Sequence, residues 1–158
     1  MRVVESIGNS KLKAQLTTLH FKLYTFQILM LIDDKFLNTV SEQAKASARL
    51  RMNYNLHESL EAPAQRLINA VEPGTKFQIH RHQNTSASTF VIRGRVDVLF
   101  WNDDKEVIAR YSLDPKNGVY GVNIPKNTWH SLEVLEPSVI FEVKDGPYRP
   151  LGEEDVLK

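Results

Sequence analysis

The chain has 158 residues and no cysteine. Disulfides, thiolate metal sites and a cysteine nucleophile are therefore excluded, and the absence fits the cytoplasmic location expected here. No apolar run is long enough to cross a bilayer as a helix. The longest charge-free apolar stretch, 23–32, has ten residues, where a spanning helix takes roughly 20, so no membrane association is expected. Basic residues precede that stretch, but it runs straight into Asp33-Asp34-Lys35 with no small-x-small site, which argues against a secretory signal. No sign of charge dominates either. Lys plus Arg total 20 against 19 Asp plus Glu, a net charge of +1, which removes the field that a nucleic-acid binder acting through bulk charge would use. What remains, 42% hydrophobic and 25% charged residues, is the composition of one globular domain.

Three stretches differ in texture. Residues 1–29 hold scattered Lys, Ser and Thr before an apolar end, and read as an extension outside the domain, with Met30 as a natural start. The other reading is an N-terminal arm that packs its apolar end on a partner chain. Residues 30–150 form the expected domain, and 151–158 an acidic, loose tail. Within the domain, Asp33 or Asp34 caps a helix over 34–46, because Phe36, Leu37, Val40 and Ala44 recur at helical spacing. Residues 47–63 are polar and turn-like. Short β-type runs then come between turn signals, at 66–71, 77–82, 89–92, 96–101, 107–113, 119–124, 128–135 and 138–145. About eight strands without helical crossovers predict a mainly β protein, a jelly roll or small barrel preceded by one helix.

The chemistry concentrates in Gly74-Thr75-Lys76-Phe77-Gln78-Ile79-His80-Arg81-His82. On a strand, period two puts the imidazoles of His80 and His82 on one face. Imidazole suits Fe, Zn, Ni and Cu alike, and His130 would complete a three-nitrogen set that leaves positions open for water or substrate.

The spacing Gly74-x5-His80-x-His82-x4-Ala87-x6-Gly94 resembles the first signature of the cupin superfamily. Pro125, Asn127 and His130 resemble the second more loosely, with Gly118 displaced by one and Val134 in the usual Asn position. The resemblance implies a double-stranded β-helix and a divalent metal (Fe, Zn, Ni or Mn) on His80, His82 and His130. Ala87 departs from it, since that position usually supplies a metal-binding Glu. Three readings are open: a three-His site, as in some iron thiol dioxygenases; a carboxylate reaching in from Glu142 or Glu133, of which Glu133 should face away; or loss of tight metal binding.

A closer resemblance covers residues 30–150. The stretches Leu31-Ile32-Asp33-Asp34, Arg51-Met52-Asn53-Tyr54-Asn55-Leu56-His57, Gln65-Arg66-Leu67-Ile68-Asn69-Ala70, Trp129-His130 and Gly146-Pro147-Tyr148 look like the WbuC-type cupin-fold metalloproteins. This implies a small cytoplasmic bacterial cupin associated with surface-polysaccharide (O-antigen or capsule) gene clusters.

Other residues carry functional readings beside plainer ones. Asn53, Tyr54 and Asn55 are dense in hydrogen-bonding groups and suit sugar hydroxyls, although turn chemistry accounts for them equally. Arg93, with Arg81 and Arg95, has the fork that holds a carboxylate or a nucleotide-sugar diphosphate, although solvated strand positions are commoner. Glu142 and Lys144 form a polar face on the last strand; Glu142 there suits an acid or base beside the metal and Lys144 a substrate contact. His57 reads as a satisfied or exposed histidine, and Tyr111, Tyr120, Trp101 and Trp129 as packing.

The function expected is therefore a metal-dependent cupin acting on a small polar molecule, a sugar or sugar nucleotide. The alternatives are a non-catalytic sugar- or metal-binding module, a three-His iron dioxygenase, and a metal-free epimerase-like cupin. A homodimer is expected, because barrels of this type pair through strands or an N-terminal arm.

Overall fold

The structure, a computed structural model, describes residues 29–158. The expectation for 1–29 lies, but for its last residue, outside the described residues. The chain divides into a unit of residues 1–33 and a unit of residues 34–158. The described residues of the first, 29–33, carry no regular secondary structure. The second unit is built from one α-helix and two β-sheets.

Helix α1, Asp34–Ala46, occupies the predicted span. Leu37, Val40 and Ala44, spaced three and four apart, are its buried residues, which makes one apolar stripe. That stripe packs on Ile68, Ala70 and Val139 of the sheet beneath. No helix among the described residues is long and apolar enough to cross a membrane.

The helix leads into eight strands: β1 Arg51–Asn55, β2 Ala64–Val71, β3 Ala87–Arg93, β4 Val96–Trp101, β5 Val107–Leu113, β6 Gly121–Ile124, β7 His130–Val134 and β8 Ser138–Asp145. They pair antiparallel in two sheets, ordered β1-β2-β8-β3-β6 and β5-β4-β7. The last strand lies in the middle of the larger sheet, and sequence neighbours β3 and β4 lie in different sheets. This is the cupin form of the jelly roll with an N-terminal helix. The larger sheet has apolar residues on both faces because it is covered on both. Ile68, Ala70 and Val139 meet α1, whereas Val71, Val91 and Ile140 meet Val96, Val98 and Leu113 of the smaller sheet.

The sequence expectations need four corrections. The polar stretch 47–63 contains a strand, β1, which pairs β2 along its whole length, Arg51 with Val71 to Asn55 with Leu67. Met52 and Tyr54 do alternate with Arg51, Asn53 and Asn55, but five residues rich in Asn read as turn chemistry. The run 77–82 is not a continuous strand; only His80 makes ladder contacts, in two isolated bridges to His130 and Val156. The strand expected at 119–124 begins at Gly121, after a bridge between Asp114 and Val119. Finally, the tail is not loose. It forms a 3-10 turn at Glu153–Asp155 and lies along the histidine segment, with Arg81 N donating to Asp155 O at 3.1 Å and Leu157 N to Ile79 O at 2.9 Å.

Candidate metal centre

The histidine segment is held from both sides. His80 N donates to His130 O at 3.0 Å and His130 N to His80 O at 2.8 Å. On the other side runs the tail. Further along, Asn127 N donates to His82 O at 2.7 Å. Directly opposed residues in an antiparallel pair present their side chains on one face, so His80 and His130 meet. His82, two residues beyond, returns to the same side. The ring centroids lie 4.3 Å apart for His80 and His130, 5.1 Å for His80 and His82, and 5.9 Å for His82 and His130. One nitrogen from each ring lies within 4.8 Å of the others, a group that can hold a metal ion.

The donor chemistry fits that role. Nδ1 of His80 lies 3.1 Å from Gln78 O, and Nδ1 of His130 lies 2.9 Å from Thr128 O. A carbonyl only accepts, so each Nδ1 carries the proton and each Nε2 keeps its lone pair, the arrangement in which a histidine ligates. Burial depresses all three rings, with the Lys144 charge adding to the effect. His82 falls to about 3 and His130 to about 4. At neutral pH the centre therefore presents neutral imidazoles.

The position at which the resemblance would place a carboxylate carries only a methyl group. Ala87 is buried at the start of β3 and lines the cleft beside the histidines. Its partner across the ladder is Lys144, while Thr89 opposes Glu142. Ladder partners share a face, so an ammonium stem stands opposite the alanine. Glu142 reaches the same cleft. Burial pushes its carboxyl up, and Lys144 pulls it partly back. Burial likewise lowers the Lys144 amine, which Glu142 partly restores. Glu133 faces elsewhere, bonded to Arg110 at 2.6 Å.

The cleft of the three histidines has a volume of about 240 Å³. A second, about 500 Å³, adjoins it, and the two share Arg51, Asn69, Val71, Phe77 and Glu142 as walls. Asn53, Asn55 and Lys144 line the second cleft. Asn53 Nδ2 donates to Asn55 Oδ1 at 3.0 Å. Tyr54, on the opposite face of β1, instead packs edge-on against Phe36 of α1 at 5.0 Å. Arg93 also turns to α1, donating to Asn38 Oδ1 at 2.8 Å and Ser41 Oγ at 3.0 Å. The structure thus gathers His80, His82, His130, Glu142, Lys144, Asn53 and Asn55, and leaves Tyr54 and Arg93 outside. Arg81 lies over the Trp129 ring at 4.3 Å and donates to Glu154 O at 3.2 Å, pinning the tail.

Arg51, Gln65 and Asn69 were not anticipated as cleft residues. Gln65 and Asn69, four apart, fall on one face of β2 with Leu67 and Val71, and these two polar residues on one face were the available signal.

Among solved structures, the capsular polysaccharide assembling protein CapF from Staphylococcus aureus matches 62% of this chain at 18% identity and TM-score 0.52, and the match covers 27% of CapF. KdgF from Halomonas sp. matches 63% of this chain and 80% of its own at 17% identity and TM-score 0.50. The conserved SPY1581 protein of unknown function from Streptococcus pyogenes matches 65% and 80%, at 14% identity and TM-score 0.50. These likenesses are of fold. No curated protein matches the sequence. A family model described as Domain of unknown function (DUF6016) matches residues 32–113.

Proposed function

The chain belongs to the DUF6016 family, and we propose that it is a metal-dependent cupin acting on a small polar molecule. The observation that carries this reading is the pair of Nδ1–carbonyl bonds at His80 and His130, which aims two Nε2 lone pairs at the space that the His82 ring also borders. His80, His82 and His130 would hold one divalent ion. Bound there, such an ion supplies Lewis-acid polarisation of a carbonyl or hydroxyl. The chain's own residues do the rest. Glu142, raised by burial, is suited to hold or release a proton beside the reacting group. Asn53 and Asn55 offer amides to hydroxyls in the adjoining cleft.

The substrate class proposed is a sugar or sugar nucleotide, in bacterial surface-polysaccharide synthesis. The resemblance of residues 30–150 to the WbuC-type cupins supports this setting, as does the fold shared with a capsular polysaccharide assembling protein. A cytoplasmic homodimer goes with that reading. Ala87 favours a second reading, a binding module without catalysis, because a buried methyl stands where a fourth ligand would be. If the bound metal is iron, three-His dioxygenation becomes the reaction to assay.

The test is elemental analysis of the purified full chain and of His80→Ala. Near-stoichiometric metal that the substitution removes is the expected result. Metal-free protein that gains none on incubation with Fe, Zn, Ni or Mn salts would overturn the metal-dependent reading. Metal binding without turnover of any sugar nucleotide tried would favour the module.

A further inference from the structure

The 500 Å³ cleft is lined by Arg49, Arg51 and Lys144, against a single acid, Glu142, at its shared wall. Lys144 is 9% exposed. Among the described residues, no carboxylate lies within ion-pair distance of either Lys144 or Arg51. Among the described residues, the Arg51 side chain bonds only the Lys76 carbonyl, at 3.2 Å, and covers the Phe77 ring at 4.9 Å. The Lys144 ammonium has the Tyr148 ring at 5.7 Å. The buried Lys144 charge calls for a counter-charge, and neither it nor the half-buried Arg51 has one in contact among the described residues.

A third group in the cleft also has an unpartnered polar atom. His57 is 8% exposed and lines this cleft. Its Nδ1 lies 3.1 Å from the Arg66 nitrogen and 3.0 Å from the Arg66 carbonyl oxygen. Its Nε2 is buried and has no hydrogen-bond partner among the described residues.

We infer that this cleft binds the anionic group of a small hydroxylated ligand, a carboxylate or phosphate monoester. Arg51 and Lys144 are its anchors, and the hydroxylated part faces Asn53 and Asn69. This rests on the reading of the two adjoining clefts as one ligand site, and not on the presence of the metal. Arg51 supplies the planar fork and Lys144 the point charge that such oxyanions take. Because Arg51 and Glu142 border both clefts, an anion held here places the rest of the molecule at the histidines.

The test is calorimetric titration of the full chain with gluconate, glucose 6-phosphate and uncharged glucitol. At least one anion should bind about tenfold or more tighter than glucitol, and the stronger of the two identifies the oxyanion. Arg51→Gln and Lys144→Gln should each weaken that anion by about tenfold or more, while Lys116→Gln, on an exposed loop, leaves it unchanged. Anions that bind no tighter than glucitol, or folded Arg51 and Lys144 variants that bind as wild type, would overturn the inference. A measurement on the unaltered chain covers variants that fail to fold: anion affinity should fall steeply as salt is raised, and salt-independent affinity is contrary. His82→Ala separates the two readings. It should lose metal and keep the anion. Loss of both would show that the metal, not the cations, holds the anion; a metal-free wild type that still binds the anion would sink the metal reading alone.

Discussion

His80 and His130 exchange both backbone hydrogen bonds, at 3.0 and 2.8 Å, across an isolated antiparallel bridge. One two-residue bridge thus brings together side chains 50 positions apart in sequence and sets their rings 4.3 Å apart. Buried rings packed so closely, with a lysine nearby, resist protonation.

Acid should therefore destabilise the fold. The three rings have lowered folded-state values, His82 about 3 and His130 about 4, against 6.5 unfolded. Below 6.5 the unfolded chain takes up protons that the folded chain refuses, so stability falls as pH drops from 6.5 toward 4 and is flat from these groups above about 7. The midpoint of urea unfolding measured from pH 4 to 8 should show this. His82→Gln should flatten part of the slope.

Lys144 should weaken metal binding. Its charge lowers the proton affinity of all three rings and opposes a divalent ion in the same way. Lys144→Gln should therefore raise metal affinity by about three- to tenfold, read by competition with a chromogenic chelator. Unchanged or lower affinity would contradict the electrostatic account.

Deleting 151–158 should weaken the metal site without unfolding the domain. The tail holds the histidine segment by Arg81 N to Asp155 O and Leu157 N to Ile79 O, and Gln83 Nε2 donates to Asp155 Oδ1 at 2.7 Å. Loss of such supporting contacts should lower metal affinity by about tenfold, while the circular dichroism spectrum stays that of a β protein.

Gly94→Ala should be strongly destabilising. Gly94 turns β3 into β4 at φ +88°, and an added Cβ would collide with Pro137 O and Ser138, its Cα at 2.6 Å. Positive φ and a backbone clash together should cost about 2–4 kcal/mol, measured by denaturant unfolding. Lys116→Gln, exposed on its loop, should stay within about 0.5 kcal/mol.

Ile68→Ala should cost about 2–4 kcal/mol in the same measurement. Ile68 is fully buried between β2 and α1, so its loss leaves a cavity that the helix cannot close without moving off the sheet.

Much of the fold was legible because its signals are local. The helical spacing of Leu37, Val40 and Ala44 needs no partner to be seen, nor does the punctuation by Pro73-Gly74, Gly94 and Pro137. What stayed hidden was polar and non-local. β1 looks like a turn because Arg51, Asn53 and Asn55 face a cleft, and the tail looks loose because its order comes from residues 79–83. Tyr54 and Arg93 were expected at the cleft by composition; strand alternation sent Tyr54 to the helix side, and Arg93 found acceptors on α1.

The residue types and their spacing determined by themselves that two histidines share a side, that a third comes after a proline turn, and that alanine stands where a carboxylate is usual. Only the tertiary structure decided that Lys144 opposes this alanine, that neither Arg51 nor Lys144 makes an ion pair among the described residues, and that the tail braces the histidines. The reason is that periodicity reports which way a side chain turns from its own backbone, whereas charge pairing and burial depend on strands that meet only once the sheets have closed.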